Sequence, residues 1–164
     1  MRVLVCLLLS PTLVLAQAPQ GARPAAGLLT EKALSLDMAV DIARGSIEKC
    51  RMDGYKTTVA ILDAAGNLKL SVRDDGTSPH TVEVARKKAY TALIYRRPSI
   101  ETAKAWATQV PPPSIDGTIA LGGGLPIRAG DQVVGSIGVS GAPGQDKDEA
   151  CANAGIAVVA SRLK

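Results

Sequence analysis

The chain has one histidine, His80, and it falls where an imidazole could do chemistry. Ser78 and Pro79 precede it in the manner of a helix start: a serine to cap, then a proline at the first helical position, where a missing N–H does no harm. This places His80 near the second position of the helix. The positive end of the helix dipole there favours neutral imidazole, the form that ligates a metal. The same first turn offers unpaired N–H groups. Arg73, Arg86, Lys87 and Lys88 lie close enough in sequence to form a patch for anionic groups. The bland alternative is a solvated or capping histidine at a helix end.

Cysteine chemistry depends on the compartment. Met1 and Arg2 are followed by the apolar runs Val3 to Leu9 and Leu13 to Ala16, and small residues follow at Ala16 and Ala18. That is the form of a signal peptide, residues 1–16, with cleavage expected after Ala16. A membrane anchor is the competing reading. Ser10, Pro11 and Thr12 interrupt the run, which falls short of the roughly 20 apolar residues that a spanning helix needs. The chain is therefore expected to be periplasmic or secreted. Cys6 would leave with the signal, and an even pair in an oxidising compartment, Cys50 and Cys151, points to a disulfide. The other possibility is two buried free thiols. A bridge requires the first and last helices to be neighbours, with Cα atoms about 4.4–6.8 Å apart.

Other chemistry finds little support. Lys and Arg number 19 against 15 Asp and Glu, with no basic block and only 2% aromatic residues, so a nucleic-acid groove or stacking platform is not expected. Ser46-Ile47-Glu48-Lys49 matches S-x-x-K but lacks the companion elements of acyl-transferring serine enzymes. Glycines 135, 138 and 141 fall within a strand pattern, not at the strand-to-helix turn of a dinucleotide fingerprint. One His and two Cys are too few for a zinc site, and no nucleophile elbow accompanies His80. Asp146, Asp148 and Glu149 could attract ferric iron, but a capping box formed by Asp146 and Glu149 accounts for two of them.

The elements that must position these residues follow from periodicity. Residues 17–29 read as a flexible Pro/Ala/Gly tail, and 30–164 as a single domain. Ser35 caps a helix whose buried stripe is Leu36, Ala39, Val40, Ala43, Ile47 and Cys50. Thr57 to Leu62 and Asn67 to Arg73 form a hairpin across Asp63-Ala64-Ala65-Gly66, with Leu68, Leu70 and Val72 inward. A helix from Ser78 to about Tyr95 and a short one from Ile100 to about Thr108 come next. Pro111 to Pro113 is a stiff connector. Gly117 to Leu121, Leu125 to Arg128 and Gln132 to Ser140 are predicted strands, and a last helix ends near Leu163. The expected order is α-β-β-α-α-β-β-β-α, an α+β fold with a five-stranded, mostly antiparallel sheet and packed helices.

The segment Asp74 to Ala92, with Asp-Gly-Thr-Ser-Pro-His and then Lys-Lys-Ala-Tyr-Thr-Ala, resembles the GlcG/HbpS family of haem-binding proteins. Gly122-Gly123-Gly124-Leu125-Pro126-Ile127 is similar to the family's G-G-x-P-[LIV] turn. Gly135 to Ala142, followed by Asp146 and Asp148-Glu149, is similar to its G-x-I-G-V-x-G-A…D-x-D-E ending. The likeness runs in order from Leu34 to Ala160. It implies a profilin-like fold, homo-oligomerisation and binding of haem or a related tetrapyrrole; fold transfers more safely than activity.

With haem implied, the basic residues read as partners for its propionates and His80 as the iron ligand. The resemblance offers Thr91, the threonine of the K-A-(F/Y)-T-A run, as an alternative ligand. Eleven residues turn a helix by about 1100°, which leaves His80 and Thr91 on one face but about 16 Å apart. One subunit cannot use both on one iron, so they are alternatives or belong to different chains. Thr91 could equally bond the carbonyl four residues back. His80, the stronger ligand, is preferred. The expected function is an exported haem-binding protein that sequesters haem or iron, or presents it to a redox or sensor partner. A slow haem-degrading or peroxidase-like enzyme is the second reading, ranked lower because no second polar residue is placed to assist O–O cleavage. A module for another cofactor (a corrinoid or flavin) in an oxidative pathway is the third.

Overall fold

A computed structural model describes residues 27, 30–109 and 115–164. The expected signal peptide at 1–16, the tail at 17–29 (apart from Gly27) and the Pro111 to Pro113 connector lie outside the described residues. Glu31–Lys164 forms one compact unit. No described helix is long and apolar enough to cross a membrane.

Helix α1, Leu36–Met52, starts where Ser35 accepts a hydrogen bond from the Met38 N–H at 3.2 Å. Strands β1, Thr58–Asp63, and β2, Leu68–Arg73, form the expected hairpin. Its turn is held by the Asp63 carboxylate, which accepts from the Ala65 and Asn67 N–H groups, while Gly66 takes the positive φ of 87° that a side chain would resist. Helices α2, Thr81–Tyr95, and α3, Ser99–Trp106, follow. Then come β3, Gly124–Ala129, β4, Gln132–Ser140, and α4, Gln145–Val158, with a 3-10 turn at Ala160–Arg162.

The described strands make one antiparallel sheet in the order β2-β1-β4-β3. Side chains alternate across it. Val59, Ile61, Ile127, Ile137 and Val139 pack with Ala39, Ile42, Ala43 and Ile47 of α1 and Ala152 of α4. The opposite face presents Thr58, Ala60, Ser136 and Gly138, and α2 lies against it. Small residues permit this close approach: a Cβ on Gly138 would run into the Ala85 carbonyl and the Ala89 amide, and one on Gly124 into the Lys88 carbonyl. Ala85, Ala89 and Ala92 on the helix are fully buried to match. Close backbone packing thus replaces the bulky aromatic residues that the chain lacks.

Cys50 of α1 and Cys151 of α4 are joined as a disulfide, with Cα atoms 5.5 Å apart. The helices touch because Gly155 leaves room for Ile42 and Ser46. With a sequence separation of 101, the bridge closes a loop worth nominally about 4–5 kcal/mol in the chain-entropy account.

Four expectations are corrected. The sheet has four strands among the described residues, not five, because Gly117 to Leu121 is loop. Hydroxyls occupy part of that segment's backbone: Ile119 bonds through both N–H and C=O to Thr91 Oγ1, and the Leu121 carbonyl accepts from Ser99 Oγ. With those groups taken, it joins no ladder. The observed order is therefore α-β-β-α-α-β-β-α. Leu68 and Val72 are not buried as expected: they are 52% and 38% exposed, although Val72 stands level with core residue Val59, since β2 is an edge strand that α1 only partly covers. Leu36, assigned to the buried stripe of α1, is exposed as well. Finally, α2 begins at Thr81 with His80 as its cap residue, and α4 begins at Gln145, so Asp146 is inside that helix and caps nothing.

Candidate functional site

Strand register decides where the site forms. Thr58, the first residue of β1, stands level with Arg73 at the end of β2 and Ser140 at the end of β4. Both β2 and β4 run opposite to β1, so both end at the same edge of the sheet. Each is followed by a helix, and the first turns of α2 and α4 therefore meet at that edge from opposite faces. Between them lies a cleft of about 880 Å³. Its walls are Tyr55 and Lys56 leading into β1, the Gly76 to Thr81 turn, and the Ser140 to Gln145 turn, with Val84, Lys88, Leu121 and Asp148 inside.

The Gly76 to Thr81 wall is firmly built. Arg51 of α1 donates from Nε and Nη2 to the Asp74 carboxylate at 3.0 and 2.6 Å, and the Asp75 N–H adds a third bond. These hydrogen bonds, led by that from Arg51, hold the Asp74 carboxyl below its usual range. Arg73 Nη1 donates to the Thr77 carbonyl. Thr81 Oγ1 bonds the Ser78 carbonyl at 2.6 Å and meets Thr58 Oγ1 at 2.7 Å, pinning the start of α2 to β1. No side chain caps α2 or α4.

A buried ion pair forms the cleft's inner wall. Lys88 and Asp148 are each 3% exposed, and Lys88 Nζ donates to Asp148 Oδ2 at 2.7 Å and to the Val139 carbonyl at 3.0 Å. Asp148 Oδ1 accepts from the Ala142 N–H. Burial, the larger effect, pushes the Asp148 carboxyl above its ordinary range, while Lys88 and the Ala142 N–H pull the other way.

The residues singled out from sequence divide sharply. His80 and Lys88 line the cleft, His80 exposed to it and Lys88 already paired. Arg73 is spent on the Thr77 carbonyl and does not line it. Arg86 is paired with Glu83 at 2.8 Å, with Lys87 3.8 Å from the same carboxylate, and neither lines the cleft. Thr91 is fully buried. Its hydroxyl bonds the Lys87 and Ile119 carbonyls and accepts from the Ile119 N–H, away from the cleft walls.

The family model described as haem degrading protein HbpS-like matches residues 34–157. The chain belongs to the HbpS-like family. The protein GlcG of Escherichia coli is 30% identical over 117 residues, 68% of this chain and 84% of that protein. A double mutant of Streptomyces reticuli HbpS is 39% identical with a TM-score of 0.77, covering 88% of this chain and 98% of its own. A PduOC–haem complex, 23% identical over 77% of this chain and 95% of its own, shares the fold with a TM-score of 0.69.

Sequence reasoning about this HbpS-like chain missed Lys56, Thr77 and the Ser140 to Gln145 turn as cleft walls. Lys56 is separated from His80 by an entire hairpin and carries no motif. The Gly141-Ala142 signal was present, but only strand register shows that it shares the cleft with His80.

Proposed function

We propose that this protein binds haem or a related tetrapyrrole in the cleft, with His80 as the iron ligand. The observation that carries the reading is the placement of the chain's one histidine, exposed on a cleft of about 880 Å³ in a member of a family described as haem degrading. The volume falls within the range of roughly 300–1,000 Å³ typical of cofactor pockets. The residues present fit such a group. Tyr55, Val84, Leu121 and Pro143 offer apolar wall, His80 a nitrogen ligand, and Thr77 a buried hydroxyl with no partner among the described residues. Bound haem would supply an iron centre capable of redox chemistry. The chain's own part is to ligate, orient and shelter it. The wider reading is an exported protein that sequesters haem or hands it to a partner, working as a homo-oligomer through exposed apolar residues such as Leu68 and Val72 on the β2 edge.

Titration of the apo-protein with hemin tests it. A Soret shift is expected to saturate near one haem per subunit and to weaken at least tenfold in His80→Ala, the loss of about 1.4 kcal/mol or more. Unchanged binding in that variant removes His80 from the site. The family's description favours one second reading, haem degradation. The same loaded protein under reductant and oxygen would then lose its Soret band and yield a biliverdin-like product, whereas a carrier retains its haem.

A further inference from the structure

The predicted propionate partners Arg73, Arg86 and Lys87 are turned to other work, which raises the question of what the cleft offers an anion. Among charged side chains in its lining, Lys88 and Asp148 neutralise one another, leaving Lys56. Lys56 is exposed and forms no salt bridge among the described residues. Its ammonium hangs over Gly76: a Cβ there would stand 3.0 Å from Nζ. The next residue is Thr77, which also lines the cleft. Thr77 is 6% exposed, and its buried hydroxyl has no hydrogen-bond partner among the described residues. A buried hydroxyl without a partner is costly unless something completes it.

Across the cleft stands the first turn of the 14-residue helix α4. Gly144 at its cap has no side-chain oxygen to offer, so that end of the helix is a ready anion acceptor. Asp146 sits exposed in the same turn with its carboxylate close beside Gly144 and works against this; Asp146 itself does not line the cleft, whereas Lys56 does.

We infer that Lys56, the Thr77 hydroxyl and the first turn of α4 hold the carboxylate edge of the ligand, in place of Arg73, Arg86 and Lys87. This inference rests on the tetrapyrrole reading above and deepens it. An ammonium, a hydroxyl donor and a helix N-terminus around one opening recognise carboxylates without needing the bidentate fork of arginine.

The test compares hemin with hemin dimethyl ester, in which both propionates are masked, against the wild-type chain, Lys56→Met, Thr77→Val and Arg86→Met. Wild type should bind the diester about tenfold more weakly than hemin, the loss of roughly one charge-assisted contact. Lys56→Met and Thr77→Val should weaken hemin and leave the diester unchanged, and Arg86→Met should alter neither. Urea midpoints check that each variant is folded, and Lys56→Met keeps the test decisive should Thr77→Val unfold. If hemin binds but Lys56→Met weakens both ligands equally or neither, the inference is overturned while the haem reading stands. If wild type gives no Soret shift with either ligand, the haem reading fails and takes this inference with it.

Discussion

The ammonium of Lys88 lies 2.7 Å from Oδ2 of Asp148, sixty positions away in the chain, with both side chains buried. The pair ties α2, on one face of the sheet, to the first turn of α4, which packs on the other. It thereby fixes the distance between the two helix starts that flank the cleft.

Removing one partner should be far worse than weakening both. Lys88→Met strands a buried carboxylate and is expected to cost about 3–5 kcal/mol. The double variant Lys88→Met with Asp148→Asn keeps a neutral acceptor for the Ala142 N–H and should lose less. Urea unfolding of both gives the comparison. A single variant that loses under about 1 kcal/mol would mean the pair behaves like an exposed one.

Acid should loosen the wall that carries His80. The folded-state pKa of Asp74 lies below its unfolded value, because Arg51 and the Asp75 N–H stabilise the carboxylate. Its contribution is therefore fully present above the unfolded value of about 3.9 and is lost as pH falls through the lower, folded one. The stability difference between wild type and Asp74→Asn should stay constant from about pH 5 to 7 and shrink below about pH 4. A difference that grows on acidification would contradict this sign.

Thr91 offers a contrast with His80. Its hydroxyl links α2 to the loop at Ile119, so Thr91→Val should destabilise by about 1–3 kcal/mol by stranding partly buried backbone groups. Hemin affinity of the folded variant should match wild type. A lost Soret shift at unchanged stability would instead make Thr91 the ligand.

Much was settled by the sequence alone. Local periodicity placed every described helix and the strands β1, β2, β3 and β4 to within a few residues, since that signal depends on near neighbours in the chain. The pairing of Cys50 with Cys151 was legible because, with Cys6 set aside in the expected leader, these are the two cysteines left. His80 stood out because a lone imidazole beside Ser-Pro needs no tertiary information to be noticed. The false strand at Gly117 to Leu121 shows the limit of this reading. Its residue types suit a strand, but hydroxyls on two helices claim its backbone groups first.

The cleft was decided elsewhere. Which side chains share it depends on Thr58, Arg73 and Ser140 standing level across three strands, a relationship that pairs residues up to eighty-two positions apart. Sequence proximity suggested Arg73, Arg86 and Lys87 as partners for a bound anion, yet a helix turns through 100° per residue, and Glu83 and the Thr77 carbonyl occupy them. Lys56 and the Gly141 to Gly144 turn come from distant segments and share the cleft with His80 only because β2 and β4 both run opposite to β1. Such contacts are set by register, and register is a property of the assembled sheet.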